Sequence, residues 1–186
     1  MNHKLIKKMA ILACMAAAML MMFTACGKSG DAKEFSNTDG TFSIQAPADF
    51  ISQDSGSADV ISLKAPEGAD LGVMVQRMAK NSEAAEGVEN LEGLTELYHQ
   101  RISGMLQQSQ KGIQKEPVPD GKSGAALSSA AESFEVSNGM GETGKVFLIY
   151  LETQDNYYVI SVSGMDKDFD SRIEEVKQGA AELREQ

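Results

Sequence analysis

From Phe42 to Ala46 apolar and polar residues alternate, with Phe42, Ile44 and Ala46 facing one way and Ser43 and Gln45 the other. A period of two marks a half-buried strand. The Asp39-Gly40 pair before it supplies the positive φ of a tight turn, and Pro47 closes it. Val60 to Lys64 and Leu71 to Met78 form a second strand pair around the turn-forming PEGAD at 66–70. Three more strands are predicted at Ala125–Val136, Lys145–Thr153 and Tyr157–Ser163, linked by SNGMGETG and by Gln154-Asp155-Asn156. Within them VFLIYL at 146–151 is apolar on both faces and belongs in the sheet interior. The Ala/Ser run of 125–136 lacks clean alternation.

Two stretches change period. In Asn90–Gln108, Leu91, Leu94, Tyr98, Ile102 and Met105 fall on one stripe of an amphipathic helix, with Asn90 as N-cap and Glu92 in the first turn. At the end of the chain, Ser171 and Glu174 fit an S-x-x-E capping box, followed by the stripe Ile173, Val176, Ala180 and Leu183. The KEPVPDGKSG stretch between them is rich in Pro and Gly and reads as a loop. The order is β-β-β-α-β-β-β-α: an α+β fold in which an antiparallel sheet of about six strands is flanked by helices as an α-β-α sandwich.

The first 25 residues have a different character. Lys4, Lys7 and Lys8 precede an apolar run from Met9 to Phe23, and small Ala25 precedes Cys26, which is the layout of a secretory signal. At 15 residues the run is short for a permanent span, which takes about 20. Phe23-Thr24-Ala25-Cys26 resembles a bacterial lipobox, in which the cysteine is acylated on sulfur and becomes the new N-terminus. That resemblance implies a signal peptide at 1–25, removed on processing, and a lipid tether on Cys26. It departs from the usual pattern at Phe23, where leucine is common. Two chains on one diacylglycerol are what stable anchoring takes. Residues 26–33 then read as the lipidated cysteine and a flexible linker, and 34–186 as one domain.

The order of elements, together with Asp39-Gly40-Thr41-Phe42-Ser43-Ile44-Gln45-Ala46-Pro47-Ala48-Asp49-Phe50 and the strand Tyr157–Gly164 before an acid-capped last helix, resembles the PsbP-like fold, which also occurs in small bacterial lipoproteins. The resemblance implies a three-layer sandwich and roles in assembly or binding. It carries no catalytic residues onto this chain.

Composition narrows the partners. The chain holds 17 basic and 27 acidic groups, a net charge of −10, and loss of the leader removes three of the lysines. Such a field disfavours nucleic acid, which is bound through phosphate neutralisation. With 42% hydrophobic residues there is enough apolar side chain for one core. The two cysteines are Cys14, inside the apolar run, and Cys26, so the processed chain has no internal disulfide.

Candidate chemistry is sparse. Beyond the leader the one histidine is His99, which a hydrolase would need within reach of a serine; no G-x-S-x-G occurs, and a surface or groove-edge position is expected. Asp166, Asp168 and Asp170 match the first three liganding positions of a calcium loop, but Ser171 stands where glycine is needed and Lys177 where the closing glutamate belongs. These weak metal candidates are expected to serve the helix N-terminus, and no metal or cofactor is expected. Met74, Met78, Met105, Met140 and Met165 are expected to fill the core, and at most one of Tyr157 and Tyr158 to be exposed. Glu83, Glu86, Glu89, Glu92 and Glu96 cluster as a solvated face or a dock for a basic partner. The sequence therefore points to a lipid-anchored extracytoplasmic module that binds or assembles another envelope protein without catalysis. A small-ligand or cation carrier is the alternative, and a serine hydrolase the third reading.

Overall fold

In the computed structural model the described residues are 32–107, 109, 112–118, 126–137, 142–180 and 182–186, side chains excepted at 166, 167 and 180. The expected leader with Cys14, Cys26, the first part of the expected linker, much of the KEPVPDGKSG loop and Met140 lie outside them. Among the described residues ten strands form two antiparallel sheets. The strands are β1 (Ala32–Ser36), β2 (Phe42–Pro47), β3 (Ile51–Gln53), β4 (Val60–Lys64), β5 (Leu71–Ala79), β6 (Gln114–Glu116), β7 (Ser128–Ser137), β8 (Thr143–Glu152), β9 (Asn156–Met165) and β10 (Arg184–Glu185). The large sheet runs β3-β4-β5-β9-β8-β7-β6 and the small one β1-β2-β10. The helices are α1 (Leu91–Arg101), the single turn α2 (Ser103–Leu106) and α3 (Asp166–Ala180).

The expected α+β sandwich is present, with one layer mixed. Face one of the large sheet, carrying Ile61, Val73, Val75, Phe147, Ile149, Ile160 and Val162, is covered jointly by the small sheet and by Phe169, Ile173 and Val176 of α3. The opposite face holds Met78, Phe134, Val146, Leu148, Tyr150, Tyr157 and Val159 beneath Leu94 and Tyr98 of α1. Strand β8 is buried on both sides from Val146 to Leu151, as its unbroken apolar run requires.

Several expectations are corrected. Ala32 and Lys33 belong to β1, paired with Pro47 and Ala46, and not to the linker. Strand β2 leaves the large sheet, because β10 pairs with its other edge. The long helix breaks at Ile102 (φ −96, ψ 12), which turns Met105 away from the core, so that it is 42% exposed; Met74, on an uncovered part of the sheet, is 40% exposed. The last helix starts at Asp166, directly after β9, so Ser171 lies inside it and its hydroxyl donates to the Asp168 carbonyl (2.9 Å) instead of capping. Leu183 is buried beyond the helix end. Strands β1, β3, β6 and β10 were not anticipated.

The turn before β2 is built as its sequence demands. Gly40 has φ +71, and Asn37 Oδ1 accepts from the Phe42 amide (3.0 Å) while its Nδ2 donates to the Ala58 carbonyl (2.6 Å) and to Asp39. Arg77 of β5 donates to Thr41 (2.6 Å) and Asp59 (2.7 Å) and lies 5.1 Å from the Phe42 ring centroid, joining the small sheet to the large one. The chain end is held in the same way, by side chains reaching across. Glu185 Oε1 accepts from Tyr158 (2.8 Å), Asn156 (2.7 Å) and Thr153 (3.1 Å).

Candidate functional site

Helix α1 starts where its sequence says it should: Asn90 Oδ1 accepts from the Gly93 amide (3.0 Å). With Leu94 and Tyr98 buried, Glu92, Thr95, Glu96 and His99 point along a neighbouring stripe toward the β6–β7 edge of the large sheet. There they line a cavity of about 760 Å³ with Lys115 and Glu116 of β6, Glu132 of β7 and Tyr150 of β8. The floor is a polar cluster set in an apolar face. Glu132, 6% exposed, and Tyr150, fully buried, are diagonal neighbours on that face, since Glu132 lies opposite Leu148 and Ala130 opposite Tyr150.

Glu132 Oε1 accepts two hydrogen bonds, from Tyr150 (2.6 Å) and from His99 Nε2 (2.5 Å). Oε2 has no hydrogen-bond partner among the described residues. A buried carboxylate without donors is costly to keep charged, and bonds of this charge-assisted kind each offset about 1.5–3 kcal/mol. Nearby, Glu116 Oε1 accepts from Ser133 (2.5 Å). The carboxylates of Glu92, Glu96 and Glu132 thus share the groove with Lys115, while Glu116 at its edge turns to Ser133; the exposed Glu83, Glu86 and Glu89 lie apart, around a separate hollow beside β5.

Burial, followed by the hydrogen bond and charge of Glu132, raises the Tyr150 pKa far above the tyrosine range; burial and Glu185 do the same for Tyr158, and burial raises Tyr98. For a group whose folded pKa is raised, the stabilisation is complete below the unfolded value of about 10 and is lost as pH climbs beyond it. In an alkaline titration followed by ultraviolet absorbance, the phenolate signal of these three tyrosines should therefore appear together with the loss of near-ultraviolet circular dichroism. Ionisation of all three near pH 10 in an intact fold would contradict the burial.

His99 sits at the groove edge, as expected, but its partner is a glutamate and not a serine. A carboxylate that orients an imidazole is half of a hydrolytic triad, but among the described residues no serine or threonine hydroxyl is hydrogen-bonded to His99. Asp168 Oδ2 accepts from the Asp70 amide (2.9 Å) and Asp170 pairs with Lys145 (2.8 Å), so these two carboxylates turn to different partners. The Asp166 side chain lies outside the described residues, and among those described no three His, Cys, Asp or Glu side chains are placed to hold a metal. Tyr157 and Tyr158 are both buried, on opposite faces. Glu132 and Tyr150 were the residues the sequence did not offer. One signal could have found Glu132: Ala130, Phe134 and Val136 share its face, which places a carboxylate in an otherwise apolar alternation.

No protein-family model and no curated protein matches the chain. Among solved structures, a crystal structure from Bacteroides thetaiotaomicron aligns with 83% of this chain and 48% of its own, at 14% identity and a TM-score of 0.53. The two share a fold, and this chain spans about half the length of that protein. The chain is also similar to cyanobacterial PsbP (CyanoP) from Synechocystis, over 87% of this chain and 98% of that one, at 11% identity and a TM-score of 0.49. LpqN of Mycobacterium tuberculosis, a protein involved in cell envelope biogenesis, aligns over 82% and 89%, at 12% identity and a TM-score of 0.44.

Proposed function

We propose that this chain is a lipid-anchored extracytoplasmic binding module that engages another envelope protein through the acidic face of α1 and performs no catalysis. The observation that carries the reading is the groove itself: it is open, acidic and built around a carboxylate whose histidine neighbour is occupied with it. The lipobox-like Phe23-Thr24-Ala25-Cys26 supports the tether, and no described helix is long and apolar enough to cross a membrane. Strand β1 begins six residues after Cys26, so at most about 20 Å of chain separates the anchor from the fold. A module held that close meets partners at the membrane surface.

Two measurements test it. Cys26→Ser in the full chain should shift the protein from the membrane fraction to the soluble one and block maturation; a variant that stays membrane-bound at the mature size removes the tether. A photo-crosslinking residue placed at Thr95, inside the groove, should capture a discrete protein on cells, whereas one at Gln53 on the far edge strand β3 should not. A small-ligand carrier is the second reading, favoured by the cavity volume of about 760 Å³, which falls in the range of small-molecule sites. That reading expects thermal stabilisation by a metabolite and no crosslinked protein at Thr95.

A further inference from the structure

We infer that the groove between α1 and β6–β7 is a seat for a lysine or arginine side chain, with Glu132 Oε2 as its anchor, and that the partner presents this side chain on an extended basic segment. The inference rests on the binding-module reading and deepens it. Two observations carry it beyond the mere presence of acidic residues. Glu132 is buried and prearranged, its Oε1 held by Tyr150 and His99, while Oε2, on the same carboxylate in the cavity wall, is left without a described partner. An ammonium or guanidinium group supplies the N–H donors and the positive charge that this oxygen lacks.

Second, the carboxylates are distributed and do not converge. Glu92 and His99 are seven residues apart on α1, about 10 Å along its axis, with Glu96 between them and Glu132 at the His99 end. No three His, Cys, Asp or Glu side chains among the described residues surround one point, so the arrangement does not suit a bare divalent ion. It suits cationic groups carried on a chain. A compact cation would meet one of these carboxylates at a time, whereas a polypeptide segment with several basic residues meets Glu92, Glu96 and Glu132 together. Charge complementarity of this kind raises the association rate, and the one buried contact fixes the register.

The test uses the full chain in detergent and a fluorescent ten-residue peptide carrying arginine at alternate positions, read by anisotropy at low and physiological salt. The same peptide with citrulline in place of arginine, which keeps the shape and removes the charge, is the control, and spermidine is the competitor. Binding of the arginine peptide is expected, with at least tenfold weaker binding for the citrulline peptide and for Glu132→Gln. Glu174→Gln, on the solvent face of α3, is expected to bind as the wild type does. Should Glu132→Gln fail to fold by circular dichroism, Glu96→Gln on the exposed side of the groove replaces it, with a threefold or greater loss expected. Equal affinity for the two peptides, no loss in a folded variant, or tight spermidine binding without peptide binding would each overturn the inference. Crosslinks on cells that capture a protein at surfaces other than Thr95, together with a negative peptide result, would overturn this inference while leaving a binding module in place. Absence of any crosslinked protein removes the module reading itself.

Discussion

Gly179→Ala is expected to destabilise the domain by about 2–3 kcal/mol, a fall of roughly 5–10 °C in the thermal midpoint. Helix propensity alone predicts the opposite, since alanine in place of glycine within a helix gains about 0.5–1 kcal/mol. The difference is what lies against the residue. Helix α3 crosses β2 at Gly179, where a methyl group would overlap the Gln45 carbonyl oxygen and stand 2.8 Å from its carbon. Those atoms are backbone, so no rotamer relieves the contact; the helix must lift from the small sheet. Lifting it opens the core that Phe169, Ile173 and Val176 form with Ile44 and Phe50. Gly104→Ala is the matched control, because in α2 nothing lies within 4 Å of the added methyl. It should be neutral or slightly stabilising. Thermal melts of the two variants side by side check the pair, and a gain at both positions would mean that α3 does not approach β2 as described.

Gly179 also shows where sequence reading stops. The strands with local patterning, β2, β4, β5, β8 and β9, were legible, as was α1 with its Asn90 cap, because burial on one or both faces leaves a period in the chain; β7 was expected at 125–136 although its Ala/Ser run lacks clean alternation. The remaining strands carry no such period. Ile51, Ser52 and Gln53 of β3 are all exposed, β1 buries only Phe35, and β10 is two residues long. Such edges are held by backbone bonds to a neighbour, and the information for them resides in that neighbour. The division into two sheets was illegible for the same reason: β2 is claimed from its far edge by residues at the end of the chain. At α3 a local motif misled, since Ser171-x-x-Glu174 has the form of a capping box while the chain passes from β9 straight into helix at Asp166.

The candidate site divides along the same line. His99 and the run of glutamates on α1 could be read from the sequence, because a helix places residues three and four apart on one face. Their counterpart could not. Glu132 reaches His99 from 33 residues away, and Tyr150 lies inside an apolar run whose burial conceals that its hydroxyl needs an acceptor. The resulting cluster joins α1 to the sheet by polar contacts where the apolar contacts of Leu94 and Tyr98 give way to the groove.

Whether that cluster is kept for stability or for binding is open to a direct measurement by urea unfolding. Glu132→Ala should cost about 2–4 kcal/mol, since it leaves the Tyr150 hydroxyl buried without its acceptor and leaves His99 unoriented. Tyr150→Phe should cost about 1.5–3 kcal/mol, because Glu132 then keeps a single donor. The double variant Glu132→Leu/Tyr150→Phe behaves differently if desolvation dominates: replacing both polar partners by apolar groups of similar shape is expected to recover most of that loss, to within about 1 kcal/mol of the wild type. The coupling between the two sites would then exceed what adjacent but independent residues show. A double variant as unstable as the sum of the singles would make the cluster a structural necessity. Recovery in the double variant, accompanied by loss of peptide binding, would mean that a stable apolar alternative exists at this position and that the chain holds a carboxylate there for what the carboxylate can bind.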